Sequence, residues 1–134
     1  MPQKPMAAVK ALIEDDGRYL LIKQDVGDRE IWNLPGGRVD FGETPLEALE
    51  RELQEEVSLS PEIGETLGMY TFFIDDEHQV VLTVFEATYT GGEIDIDSNP
   101  ADDVILDHRW VEPGEVLELE LGEGVERFFQ RYLN

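Results

Sequence analysis

Apolar positions fall in short runs along the chain, broken by turn residues at close intervals. Ala7 to Ile13 and Tyr19 to Ile22 flank Asp16-Gly17, a dipeptide that readily takes the positive φ of a tight turn, which predicts a hairpin. Leu67 to Ile74 and Gln79 to Tyr89 are rich in β-branched and aromatic residues and are parted by the polar Asp75-Asp76-Glu77-His78. They predict a second hairpin. Gly91-Gly92 then turns the chain into a short strand expected at Glu93 to Ile96. A further strand is expected around His108 to Val111, ending at Pro113-Gly114.

Two segments change from a period of two to helical spacing. The first starts at Thr44-Pro45-Leu46-Glu47, where Thr44 caps the orphan amides, Pro45 suits the first turn and Glu47 completes a capping box. Leu46, Leu49, Leu53 and Val57 then define a core-facing stripe. The second follows Gly124, with Val125, Phe128, Phe129, Tyr132 and Leu133 on one side, a stripe expected to close the core from the opposite face. No repeat, linker or low-complexity stretch intervenes, so residues 1–134 read as a single domain of mixed α/β class.

Composition sets bounds on partners. The 134 residues carry 31 Asp plus Glu against 10 Lys plus Arg, a net charge of −21, yet 41 % are hydrophobic, enough to bury a core. The acids are scattered from Glu14 to Glu126, so they describe a surface. Such a surface repels nucleic-acid phosphates and anionic membranes, and the expectation is no nucleic-acid partner and no membrane. The start, Met-Pro-Gln-Lys-Pro-Met, lacks an apolar signal core, and no apolar run is long enough to cross a bilayer, which predicts a cytoplasmic protein. With no cysteine, disulfides and thiolate chemistry are excluded. Self-repulsion of this size destabilises a compact chain in dilute buffer and fades in strong salt, which points to a halophilic, high-salt setting.

The chemistry centres on the first helix. In Arg51-Glu52-Leu53-Gln54-Glu55-Glu56 the three Glu fall within an arc of about 100° beside the apolar stripe. Like charges at this spacing repel, so the face needs a compensating cation or full solvation, and hard oxygen donors on a rigid helix suit Mg²⁺ or Mn²⁺. A chain this acidic places carboxylates on every solvated face, so these three alone do not single out a site. The preceding loop does: Trp32-Asn33-Leu34-Pro35-Gly36-Gly37-Arg38-Val39-Asp40-Phe41-Gly42-Glu43. Gly37, five residues, Glu43, seven residues, then Arg51-Glu52-Leu53-x-Glu55-Glu56 and an apolar Leu59 match the Nudix box, and the chain resembles a Nudix hydrolase of the MutT-like kind.

That resemblance implies a Nudix-type α/β/α sandwich, a mixed β-sheet between helices, in which the box forms a loop-helix-loop that holds divalent metal against a diphosphate. It assigns Glu52, Glu55, Glu56 and the Gly36 carbonyl to metal, and gives Arg51 the task of orienting a box carboxylate by an ion pair. Glu43 is a further ligand or an anchor of the loop. The general base is Glu52 or an acid of a later loop, for which Asp102 and Asp103 are the candidates. Ser58 stands where the family usually has the Gly that ends the helix in a left-handed conformation. The implied activity is hydrolysis of a phosphoanhydride in a nucleoside diphosphate linked to another moiety. A (d)NTP or oxidised nucleotide is slightly favoured, with ADP-ribose or a nucleotide sugar next, and a non-catalytic nucleotide-sensing module is the alternative. The resemblance leaves room for a homodimer.

Other patterns carry less. Asp95-x-Asp97-x-Asn99 begins like a calcium loop but has Pro100 where Gly is required and Leu106 where the closing Glu belongs. His78 and His108 lack a Ser or Cys partner pattern and are expected to be structural. Trp32, Phe41, Tyr70, Phe72 and Phe73 are candidates to stack on a base, though strand aromatics usually pack the core.

Overall fold

A computed structural model describes residues 4–98 and 104–134. Among these residues seven strands form one sheet: β1 (Met6–Asp15), β2 (Arg18–Asp25), β3 (Glu30–Asn33), β4 (Gly36–Arg38), β5 (Glu62–Asp75), β6 (His78–Thr88) and β7 (Ile105–Val111). Three helices accompany them: α1 (Pro45–Val57) between β4 and β5, then the single turn α2 (Pro113–Val116) and α3 (Glu123–Tyr132) after β7.

The first hairpin turns as expected, with Asp16 at φ 51° and Gly17 at φ 78°. Its strands pair only beside the turn, Glu14 with Tyr19 and Asp15 with Arg18, and then diverge. β1 continues between antiparallel β4 and parallel β6, whereas β2 continues between β3 and β7. The result is a mixed sheet split along part of its length, with Leu34-Pro35 passing from β3 on one side of the split to β4 on the other.

Period-two alternation divides the core into two layers. Val9, Ala11 and Ile13 of β1 and Leu20 and Ile22 of β2 are buried with Ala48, Leu49, Leu53 and Val57 of α1. Leu12, Tyr19 and Leu21 point the other way and are buried with Val125, Phe128 and Phe129 of α3. Helices therefore cover both faces of a mixed sheet, the sandwich expected from the resemblance.

Several elements differ from the sequence reading. Glu93 to Ile96 is not a strand; Asp95 N–H donates to the Val57 carbonyl at 3.1 Å, and Ile94 and Ile96 tuck against the α1 layer without joining a ladder. The stretch from Trp32 to Gly37 contributes the end of β3, which pairs with β2 across the Val26–Arg29 turn, and the start of β4, whose pairing with β1 far earlier in the chain leaves no local signature. Pro113-Gly114 opens a helical turn instead of a simple one. Leu46 at the start of α1 is exposed, and Ala48 takes its place in the core; Tyr132 is also exposed and stacks on Phe128 at 5.1 Å.

Both ends of α1 follow from its sequence. Thr44 accepts from Glu47 N–H while the Glu47 carboxylate accepts from Thr44 N–H, a complete capping box. At the other end Ser58 takes the left-handed conformation, φ 59° and ψ 36°, and its N–H reaches the Gln54 carbonyl at 3.2 Å. The helix exits as a Gly would make it exit, at the expense of a Cβ in a region that disfavours one. Ser58→Gly is therefore expected to raise the unfolding free energy by about 0.5–1 kcal/mol. Urea unfolding checks this: the midpoint shifts upward with the slope unchanged.

Candidate functional site

The box carboxylates are not on a solvated face. Glu56 is 0 % exposed and Glu52 8 %, both on α1, and Glu55 and Arg51 are partly covered. Carboxylates withdrawn from water need donors or cations. Two sources supply them.

The first is the glycine pair at the start of β4. Gly36 N–H donates to Glu56 Oε1 at 2.7 Å. Gly36 is held at φ 145°, and a Cβ there would collide with the Val9 carbonyl of β1, so only glycine lets β4 lie this close. A Cβ on Gly37 would fall onto the Glu52 carboxyl, so the second glycine makes room for that side chain.

The second source is Arg51. Its guanidinium donates through Nε and Nη2 to the two oxygens of Glu43, at 2.7 and 3.0 Å, a fork matched to a carboxylate. Nη1 donates to Glu52 Oε1 at 2.9 Å and to Glu55 Oε2 at 3.2 Å. Nη2 also reaches the Arg38 carbonyl at 3.1 Å and lies 3.4 Å from Asp40 Oδ2. The expectation was a cation orienting one carboxylate; the arrangement is one cation shared by four. The Arg51 guanidinium holds the carboxyl of Glu43 at about 2, well below the usual carboxylate range, with help from the Asp40 N–H. Glu43 first, and then Glu52, raise the pKa of Arg51 in turn.

Gly36, Glu52, Glu55 and Glu56 are thus brought together with Arg51 and Glu43. Among the described residues no three acids or imidazoles are disposed to grip an ion as they stand, because Glu52 and Glu55 are turned to Arg51 and Glu56 to Gly36. The donor set nevertheless fits a hard divalent cation: carboxylates converging from one rigid helix on a glycine-lined recess. Asp102 and Asp103, with Asn99 and Pro100 of the rejected calcium-like motif, lie outside the described residues.

Sequence reasoning missed a cavity of about 460 Å³ with walls from β1 (Lys10), β2 (Gln24), β3 (Ile31, Asn33), β5 (Phe72) and α3 (Val125). No local signal marks it, since it is assembled from six elements, β6 contributing Leu82. Asn33 Nδ2 donates to Gln24 Oε1 at 3.0 Å, and Asn33 lies three residues before Gly36, so cavity and carboxylates share one stretch of backbone. Of the stacking candidates, Phe72 and Phe73 line it. Trp32 packs on the α3 layer under Lys23 and Arg109. Tyr70 meets Phe128 edge-on at 6.0 Å, and Phe41 is fully exposed in the box loop. His78 pairs with Asp75 at 2.7 Å across its own turn, and His108 sits on β7 opposite Ile22.

The NUDIX domain family model matches residues 4–132. An ADP-ribose pyrophosphatase of Methanocaldococcus jannaschii is 39 % identical over 92 residues, 67 % of this chain and 54 % of that protein; the match spans about half that relative's length. Phosphatase NudJ of Escherichia coli is 27 % identical over 115 residues, 86 % of this chain and 73 % of that one. Among solved structures, a MutT protein from Methanosarcina mazei Go1 superposes with a TM-score of 0.83 at 26 % identity, covering 98 % of this chain and 95 % of that chain. The Escherichia coli ORF135 protein superposes at 0.84 with 23 % identity, over 98 % and 90 % of the two chains, a likeness of fold.

The ion pairs predict a pH response. Because the Glu43 pKa is depressed in the fold, its contribution to stability is fully present above the unfolded value near 4.5 and is lost as pH falls toward about 2. Carboxyl-carbon NMR titration is expected to place Glu43 near 2 in the native chain and higher, toward 4.5, in Arg51→Met, where the Asp40 N–H still lowers it. An unchanged Glu43 titration in that variant would contradict the assignment.

Proposed function

This chain belongs to the NUDIX domain family, and on that premise we propose that it hydrolyses a phosphoanhydride bond in a nucleoside diphosphate linked to another moiety. One observation carries the reading: Arg51 and the Gly36 N–H together gather Glu43, Glu52, Glu55 and Glu56 at one recess. Unused acids on a chain of net charge −21 would spread into solvent, not fold inward.

In this reading Glu52, Glu55, Glu56 and the Gly36 carbonyl hold Mg²⁺ or Mn²⁺. An ion held by these residues would supply charge neutralisation for phosphate oxygens and a more acidic water. Arg51 keeps Glu52 and Glu55 aimed and limits their repulsion, while Glu43 anchors the box loop to Arg51. Water adds its oxygen to one phosphorus, the bridging P–O bond breaks toward the other phosphate, and the water proton passes to a carboxylate. Glu52 is the candidate base within the described residues, and Asp102 and Asp103 are the alternatives beyond them.

The cavity suits the nucleoside part, with Phe72 and Phe73 as aromatic walls and the Gln24 and Asn33 amides as hydrogen-bonding groups. A (d)NTP or oxidised nucleotide is the first reading. ADP-ribose is the second, favoured by the 39 % identity to a relative that bears that substrate in its name. The acid excess is read as halophilic and the chain as a cytoplasmic protein that acts on small molecules.

Two outcomes test this. Product release from dNTPs, 8-oxo-dGTP, ADP-ribose and nucleotide sugars, with Mg²⁺, is expected to single out one class. Glu56→Gln is expected to lower that rate by more than about 100-fold, beyond the usual effect of losing an outer-shell partner. Nucleotide binding without turnover of any class would favour the sensing module. Separately, the melting temperature is expected to rise from dilute buffer to molar KCl, where the Debye length is only ~3 Å. A flat or falling profile would remove the halophilic reading.

A further inference from the structure

Lys10 occupies a position that a core strand ordinarily gives to an apolar residue. It lies within β1, which is hydrogen-bonded by β4 on one side and by parallel β6 on the other. Alternation puts it on the face of Ala8 and Leu12, toward α3, where it is half-buried and lines the cavity beside Phe72, Leu82 and Val125. Withdrawing an ammonium from water among such neighbours is unfavourable. With only 10 Lys and Arg in the chain, cations at interior positions are scarce.

The position also has an aim. Lys10 Nζ donates to the Leu34 carbonyl at 3.0 Å, and Lys10 stands opposite Gly36 in the β1–β4 register. Its ammonium is thus held in the chamber at the Leu34 carbonyl, two residues before the glycine pair against which the carboxylates fold. The lining also carries the acids Asp28 and Glu123 and a second cation, Arg29, which is half-exposed and bonded to Glu120 at 2.8 Å.

We propose that Lys10 is a phosphate-positioning residue, whose ammonium receives the phosphate attached directly to the nucleoside in the cavity and so presents the anhydride to the carboxylate recess. This rests on the hydrolase reading above and deepens it. The group bound in the cavity is a nucleoside 5′-phosphate, and the protein itself, apart from any metal, recognises its charge. A charge-assisted hydrogen bond in a partly dry site is strong enough to overcome the long-range repulsion from the acidic surface, which salt screens.

The test is metal-free calorimetry in EDTA with AMP and GMP against adenosine and guanosine. The wild type is expected to bind its preferred monophosphate roughly 10-fold or more above the matching nucleoside. Lys10→Gln is expected to reduce that ratio to within about threefold, with nucleoside affinity kept, and Lys10→Arg to preserve it. A ratio that survives in Lys10→Gln overturns the proposal. So does equal weakening of nucleoside and nucleotide, which marks a purely structural lysine. A wild type that does not discriminate overturns it whether or not any variant folds. The hydrolase reading is judged separately by turnover in the wild type and in Glu56→Gln, so either can fail alone.

Discussion

The structure turns on how two glutamates leave water. Glu52 and Glu56 project from the same face of α1 that carries Leu49 and Leu53 into the core. Their burial is tolerable because Gly36 N–H and the Arg51 guanidinium meet them. Losing either partner would weaken the compensation of a charge in a region of low dielectric, a larger penalty than losing a surface pair. The cluster is therefore bound to the fold, and the geometry of the box loop and of α1 follows from it.

The sheet provides the other half. Because β1 and β2 part beyond their turn, β4 can lie along β1 and bring the glycine pair under α1, while β3 runs along β2. A chamber with aromatic walls and a recess of carboxylates are linked by the few residues of backbone from Asn33 to Gly36. A substrate with an apolar, hydrogen-bonding end and an anionic end matches that pairing of surfaces. In a chain with three times as many acids as bases, the few interior cations decide where an anion can settle.

What the sequence discloses is what is local. The Thr44 capping box, the Asp16-Gly17 turn and the 3.6 period of α1 and α3 each depend on neighbours within four residues or one helix face, and each is observed. The spacing from Gly37 through Glu43 to Glu56 identified the family because the chemistry is packed into one loop and one helix. What it withheld is long-range. That Glu56 is buried depends on β4 lying under α1, and β4 exists only by pairing with β1 some thirty residues earlier. The cavity needs six elements at once, so nothing near Lys10 in the sequence marks it as a lining residue. Glu93 to Ile96 has the composition of a strand but finds no ladder, a case of context overriding propensity.

Mn²⁺ titration followed by electron paramagnetic resonance tests most directly whether these inward-turned glutamates form the proposed cation site. Saturable binding is predicted in the wild type, with loss in the Glu52→Gln, Glu56→Gln double variant at retained secondary structure. Equal Mn²⁺ binding by wild type and folded double variant would contradict the account.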